Sequence, residues 1–167
     1  MVFLSNVKIE KSEFGRKLDK SINKLSKSKL VGKSGWFGEK YANGTFVASA
    51  VVWNEYGTSK IPARPFIRPT LNSGTIKNLI RVLAARESKK VIVGEEDIRR
   101  MLFLISEKFT GETKKTISKL TEPALKESTI YNRLHRKSDK KTIGLLTKPL
   151  IDSGIMLNTM TSKVENE

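Results

Sequence analysis

The sequence predicts one domain that combines helices with short strands, and three observations lead to this. Apolar residues recur at helical spacing in several segments, most clearly between residues 94 and 120. Residues 30–41 instead combine glycines with aromatic residues, which favours a short strand or hairpin. The length of 167 residues is sufficient for one buried core and short for two domains.

Four segments are predicted to be helices, because each carries an apolar stripe or a capping signal. The first lies on the surface of the fold, and the last is the longest. The second is a short buried helix, although Val51 and Val52 within it also suit a strand. The predicted helices cover residues 11–29, 46–56, 72–90 and 94–120. A final strand is predicted within residues 159–164.

A proline-rich segment, residues 61–69, follows the second predicted helix and is called the strap below. Three of the chain's five prolines lie here within eight residues, and each disfavours a helical conformation at the preceding residue. The strap is therefore predicted to be extended and stiff. It carries Arg64, Phe66 and Arg68, which we interpret as contacts to another subunit or partner. The alternative is a rigid connection with Phe66 in the core.

Two turns are predicted from short polar and glycine-containing motifs. Gly57 suits the position that ends a helix, and Asn54 and Glu55 before it are placed to hydrogen-bond the backbone of the turn. Near the C-terminus, Asp152 and Gly154 shape a second turn. Asp152 or the serine after it is also predicted to cap a short helical turn.

The chain carries a formal net charge of +15, which favours an anionic partner. Residues 121–147 are polar and interrupted, and they are predicted to be a mobile basic loop, followed later by a polar end at 165–167. Some cations of the loop are predicted to contact an anion: Arg133, Arg136, Lys137, Lys140 and Lys141. No apolar run is long enough to span a bilayer, so no membrane partner is predicted.

No catalytic constellation is evident in the sequence. The chain has no cysteine, and its single histidine, His135, lies among cations of the predicted loop. Glu95, Glu96 and Asp97 are consecutive, so a helix cannot turn all three towards one metal ion. We therefore predict that the protein is not an enzyme and has no catalytic, cofactor-binding or metal-binding residues.

Two motifs carry a resemblance to known proteins. Residues 50–58 read Ala-Val-Val-Trp-Asn-Glu-Tyr-Gly-Thr and are followed by Ile-Pro-Ala-Arg-Pro-Phe-Ile-Arg-Pro in the strap. Residues 149–160 read Pro-Leu-Ile-Asp-Ser-Gly-Ile-Met-Leu-Asn-Thr-Met, after a Pro-Ala-Leu lead-in at 123–125. Together they resemble tailed-bacteriophage neck and tail-completion proteins, namely the virion-morphogenesis family and the HK97-type tail-component family. Ser153 stands where these families usually have threonine.

The resemblance implies an α+β fold in which helices pack on a small, mainly antiparallel sheet. It implies a ring-forming protomer, usually hexameric, that joins the tail tube to the head connector without catalysis or cofactor. The partners would be further copies of this chain, the tail tube protein, the head-completion or connector protein, and the genomic DNA passing through the lumen. The protein would assemble in the host cytoplasm and reside in the virion. The alternative reading is a basic nucleic-acid-binding module.

Overall fold

The computed structural model describes residues 12–136 and 146–166, and within them the chain is an α+β domain of helices around a small sheet. The elements follow in the order α1 (Glu13–Ser26), β1 (Leu30–Gly35), α2 (Val47–Tyr56), α3 (Ile67–Asn72), α4 (Gly74–Val93), α5 (Ile98–Lys119), α6 (Glu127–Leu134), α7 (Ile155–Thr159) and β2 (Thr161–Asn166). The predicted combination of helices and an antiparallel sheet is confirmed.

The sheet pairs β1, which follows α1, with the C-terminal strand β2. β1 and β2 are antiparallel, with Leu30 opposite Asn166 and Gly35 opposite Thr161. Glu165 forms ion pairs with Lys33 across the strands and with Lys163 on its own strand. Hydrogen bonds from Lys163 and Lys33 lower the pKa of Glu165 to about 2. β1 is thus a strand, as predicted, but its partner comes from the C-terminus.

The longest helix, α5, packs across both strands through a layer of small polar side chains. Thr110 on α5 hydrogen-bonds Ser34 of β1 and Ser162 of β2, at 2.6 Å in each case. Gly32 of β1 lies so close to α5 that an added Cβ would come within 2.4 Å of the Ser106 hydroxyl. Small residues therefore let the strands approach the helix closely, and their hydroxyls remain hydrogen-bonded.

The hydrophobic core lies beside the sheet, where α2, α5, α7 and the strap meet. Its fully covered side chains come from elements far apart in the sequence, including Val51, Phe66, Ile117 and Met156. The Trp36 ring packs edge-on against the Phe66 ring, and its indole N–H donates to the Met156 carbonyl at 2.7 Å. This core holds α2 and the strap in fixed positions relative to α5.

Most predicted helices are found, with boundaries that differ by a few residues. α2 ends at Tyr56 before Gly57, as predicted, and Ser73 caps α4 by accepting from the backbone N–H of Ile76. α5 is the longest helix of the described residues. β2 extends to Asn166, so the predicted polar end is part of the sheet up to that residue.

Three predictions about local structure are wrong. The strap is not extended to its end, because Phe66 is the N-cap residue of α3 and the helix begins at Ile67. Pro69 lies in the first turn of α3, where its missing N–H group has no helical acceptor to lose. Residues 127–134 of the predicted mobile loop form helix α6. Asp152 does not cap α7. That helix begins after Gly154, which adopts a left-handed conformation with φ of 74°.

Among the helices of the described residues, none combines the length and the hydrophobicity that are needed to span a bilayer.

We expect Gly32→Ala to destabilise the fold by about 1–3 kcal/mol, because the added methyl group would meet Ser106 and the backbone of α5. Gly35→Ala is the matched control, since nothing lies within 4 Å of its added Cβ. Chemical denaturation of both variants measures the difference. Equal stability of the two would show that the β1–α5 contact tolerates a side chain.

Candidate assembly surface

The turn between α2 and α3 is organised by one buried carboxylate, that of Glu55. The side chain is 2% exposed, and its two oxygens accept the backbone N–H groups of Phe66, Ile67 and Arg68 at 2.7, 2.9 and 2.9 Å. These N–H groups are the unpaired donors at the start of α3, so the carboxylate of one helix caps the next. The prediction that Glu55 shapes this turn is confirmed.

Arg68 binds the same carboxylate from the side that faces solvent. Its Nε donates to the Glu55 carboxylate at 3.1 Å, and its Nη2 donates to the Glu55 backbone carbonyl at 2.8 Å. Its guanidinium lies 4.7 Å from the centre of the Tyr56 ring. Burial by itself would raise the pKa of Glu55, but the three backbone N–H bonds and Arg68 outweigh it and lower the pKa below the ordinary value. Glu55 is therefore ionised at neutral pH.

Gly57 permits the sharp reversal after α2. Its φ is 78°, and an added Cβ would lie 2.9 Å from the backbone nitrogen of Ala63. The Asn54 backbone carbonyl accepts the N–H of Arg64 at 2.6 Å, while its side-chain amide donates to the Ala50 carbonyl within α2. Gly57 shapes the turn as predicted. Asn54 holds the strap against α2 through its backbone carbonyl, whereas its side chain, contrary to the prediction, bonds within α2.

Arg64 is buried in the protomer, in contrast to its predicted role. It is 5% exposed, and it donates from Nε to the Pro123 carbonyl at 2.8 Å and from Nη2 to the Ala124 carbonyl at 2.9 Å. Phe66 is fully buried in the core. The prediction that Arg64 and Phe66 contact a partner is therefore corrected: both brace the fold. Of the three strap residues, only Arg68 reaches the surface, with a half-exposed side chain.

The outer face of α2 is apolar and uncovered within the described residues. Val52, Trp53 and Tyr56 are 52%, 44% and 64% exposed, and Phe46 just before the helix is 48% exposed. Val47 and Val51 occupy the opposite, buried face. α2 has no lysine or arginine, and its single acid is the buried Glu55. A helix that is apolar all round is normally covered on both sides, so this face is suited to contact another protein.

A second uncovered apolar feature is a groove of about 490 Å³ between β1, the end of α3, α4 and α5. Most of its lining is aliphatic or aromatic, namely Leu71, Ile76, Ile80, Ile105 and Phe109. The rest consists of Gly32, Ser34 and Ser106 together with the exposed Lys77 and Arg81. Among the described residues, no acidic side chain lines this groove.

The predicted anion-contact residues are used differently. The Arg133 guanidinium is almost covered and donates to the carbonyls of Leu146, Lys148 and Ile151, with Asp152 nearby at 3.8 Å. Arg136 pairs with Asp152 at 2.6 Å. These two arginines thus hold the chain before α7, and the prediction that Arg133 contacts an anion is corrected. Lys137, Lys140 and Lys141 lie outside the described residues.

Within residues 12–136 and 146–166, no three His, Asp or Glu side chains come together in a way that could hold a metal ion. His135 is exposed and stacks on the Tyr131 ring at a centroid distance of 4.0 Å.

Comparison with protein-family models, curated proteins and solved structures finds no match to this chain.

The exposed face of α2 and the groove were not identified from the sequence. A signal for the face was present: Val47 to Trp53 contains no charged residue, which a surface helix would ordinarily need on its solvent side. The groove had no comparable signal, because its walls come from four separate elements.

We expect Glu55→Gln to destabilise the protein by about 1–3 kcal/mol, because a neutral amide cannot accept on both of its polar atoms and leaves a buried backbone N–H unpaired. Glu107→Gln, at an exposed position of α5, is the control and should be near neutral. Thermal unfolding followed by circular dichroism compares them. Equal melting temperatures would contradict the importance of this contact.

The contribution of Glu55 should also depend on pH. Because its pKa in the folded protein lies below the ordinary 4.5, its stabilisation is fully present above that value and is lost as the pH falls through the folded pKa. The stability difference between wild type and Glu55→Gln should therefore be constant from pH 7 to about 5.5 and shrink below about 4.5. A difference that grows on acidification would contradict the sign of the shift.

Proposed function

We propose that this protein is a structural virion protein of the phage head–tail junction. It acts as a tail terminator or tail-completion protein, forming a hexameric ring that joins the tail tube to the head connector. This proposal combines the resemblance of residues 50–69 and 149–160 to neck proteins with the surfaces of the folded chain. It assigns the protein a role in assembly rather than in catalysis.

The observation that carries the proposal is the apolar, aromatic outer face of α2. Exposed Trp and Tyr are rare on surfaces that remain in water and are enriched at the centres of protein interfaces. Phe46, Val52, Trp53 and Tyr56 combine on this face in a chain whose remaining surface is rich in lysine. A subunit interface explains why a helix so apolar is left uncovered in one copy.

The proposal also accounts for the rigidity of this region. α2 is fixed by its packed inner face, by the Glu55 cap on α3 and by the buried Arg64. Arg68 holds the Tyr56 ring in place from one side. A surface that is already ordered loses little conformational entropy when a partner binds, which favours tight and specific assembly.

A basic nucleic-acid-binding module is the second candidate, and the net charge of +15 favours it. Several cations form no ion pair within the described residues, among them Lys20, Lys60, Lys77 and Lys89. Such a surface would follow the phosphate backbone without reading sequence. The exposed aromatic face of α2 is unexplained on this reading, which is why we place assembly first. The two functions overlap if the ring contacts the DNA end.

We expect Trp53→Lys to weaken assembly by at least about tenfold, because it removes an aromatic anchor and places a charge at the centre of an apolar face. Tyr131→Lys, at a similarly exposed aromatic position of α6, is the control. Light scattering and negative-stain images are recorded for each protein alone and with the tail tube protein, at low and high salt.

A ring formed by wild type and Tyr131→Lys but not by Trp53→Lys supports the proposal. Identical assembly of all three proteins contradicts the role of the α2 face. Monomers that never assemble, yet bind DNA with an affinity falling steeply with salt, favour the second candidate.

A further inference from the structure

The helix α4 carries exposed charge of one sign only. It contains five basic residues and a single acid, Glu87. The Glu87 side chain is 1% exposed, and its carboxylate pairs with Lys90 at 2.9 Å and with Arg86 at 2.7 Å. Because this acid is covered, α4 turns no acidic side chain towards solvent, and its outward side is positively charged.

Three cations of α4 form no ion pair with a described residue, namely Lys77, Arg81 and Lys89. All three are exposed, and Arg81 also donates to the side-chain oxygen of Asn78 at 3.0 Å. The row from Lys77 to Lys89 extends for about 18 Å along the helix axis, at a rise of about 1.5 Å per residue. This exposed side of α4, with Arg86 beside it, is called the α4 face below.

The α4 face includes an open depression of about 540 Å³. Arg81, Arg86 and Lys89 line it together with Val82 and Ala85. Among the described residues, neither an acidic nor an aromatic side chain lines this depression. A concave surface with three cations and no acid attracts an anion, and this one has no aromatic ring on which a base could stack.

We propose that the α4 face binds the phosphate backbone of double-stranded DNA. The row of cations is longer than the major groove of B-DNA is wide, which is about 12 Å, so its two ends can reach phosphates on both sides of that groove. Single strands are normally held on aromatic stacking platforms, which this face lacks. Binding through α4 goes beyond the proposed function, because it requires neither a ring nor the tail tube.

The composition of the α4 face favours DNA over an acidic protein surface. The centres of protein interfaces are depleted in lysine and carry large apolar anchors, whereas surfaces that bind DNA are strongly positive. Here the cations surround Val82 and Ala85, which are too small to serve as such anchors. The face therefore offers charge without a hydrophobic centre, which suits a phosphate backbone.

The test is the binding of the full-length protein to a fluorescently labelled DNA duplex of arbitrary sequence, measured by fluorescence anisotropy at several salt concentrations. The test variant combines Arg81→Gln with Lys89→Gln, both at exposed positions, so the fold should be retained. Arg86 is left unchanged because it pairs with the covered Glu87. The control combines Lys60→Gln with Lys126→Gln, which removes the same charge from exposed positions outside α4.

We expect the test variant to bind DNA at least about tenfold more weakly than wild type at low salt, and the control to stay within about threefold. The slope of log affinity against log salt concentration should become shallower by about two in the test variant, since each phosphate contact contributes about 0.9. The charge-preserving variant Arg81→Lys with Lys89→Arg should bind within about threefold of wild type.

Several results would overturn the inference. Absence of DNA binding by the wild type is the simplest of them. An equal loss of affinity in the test variant and the control would assign the binding to net charge alone. Tighter binding of single-stranded than of duplex DNA would contradict the assignment to a duplex. Equally tight binding of poly-glutamate, with the same loss in the test variant, would instead identify an acidic protein as the partner.

The outcome is distinguishable from failure of the proposed function, because light scattering on the same samples records assembly. Rings formed by a protein whose DNA affinity is equal in the test variant and the control would leave the assembly role in place and refute this surface. DNA binding that is lost specifically in the test variant, by a protein that never assembles, would retain the surface and refute the ring.

Discussion

The contact on which this structure depends is the capping of α3 by the buried carboxylate of Glu55. A charge taken out of water is costly unless it is fully hydrogen-bonded, and here three backbone N–H groups and one guanidinium meet it. The bonds fix the end of α2 against the start of α3 across the strap. One side chain therefore determines the path of the chain through its proline-rich region.

Fixing that path has consequences on both sides of α2. The strap turns Phe66 into the core and Arg64 towards the carbonyls of residues 123 and 124, so its two most distinctive side chains stabilise the protomer. The same geometry leaves Trp53 and Tyr56 at the surface. Internal bracing and the exposed aromatic face are thus two results of one arrangement.

The charged residues also fall into two groups, those paired within the protomer and those left at its surface. Several acids are committed to structural pairs: Glu165 joins the two strands, Glu87 is covered between Arg86 and Lys90, and Glu112 pairs with lysines on α5. With 32 basic and 17 acidic residues, the surplus of cations cannot be paired within one copy. This surplus therefore remains at the surface, where it favours anionic partners.

The sequence by itself determined the elements whose cause is local. Helical spacing located α4 and α5, Gly57 marked the end of α2, and the Asn-Glu-Tyr-Gly motif marked the turn that Glu55 shapes. Tertiary structure decided that the side chains of Arg64 and Phe66 point into the protomer. It also decided the pairing of β1 with the distant β2 and the formation of a helix at residues 127–134. It also decided the groove and the uncovered side of α2. These features depend on contacts between residues far apart in the chain, and neither periodicity nor composition records which distant segment covers a given side chain.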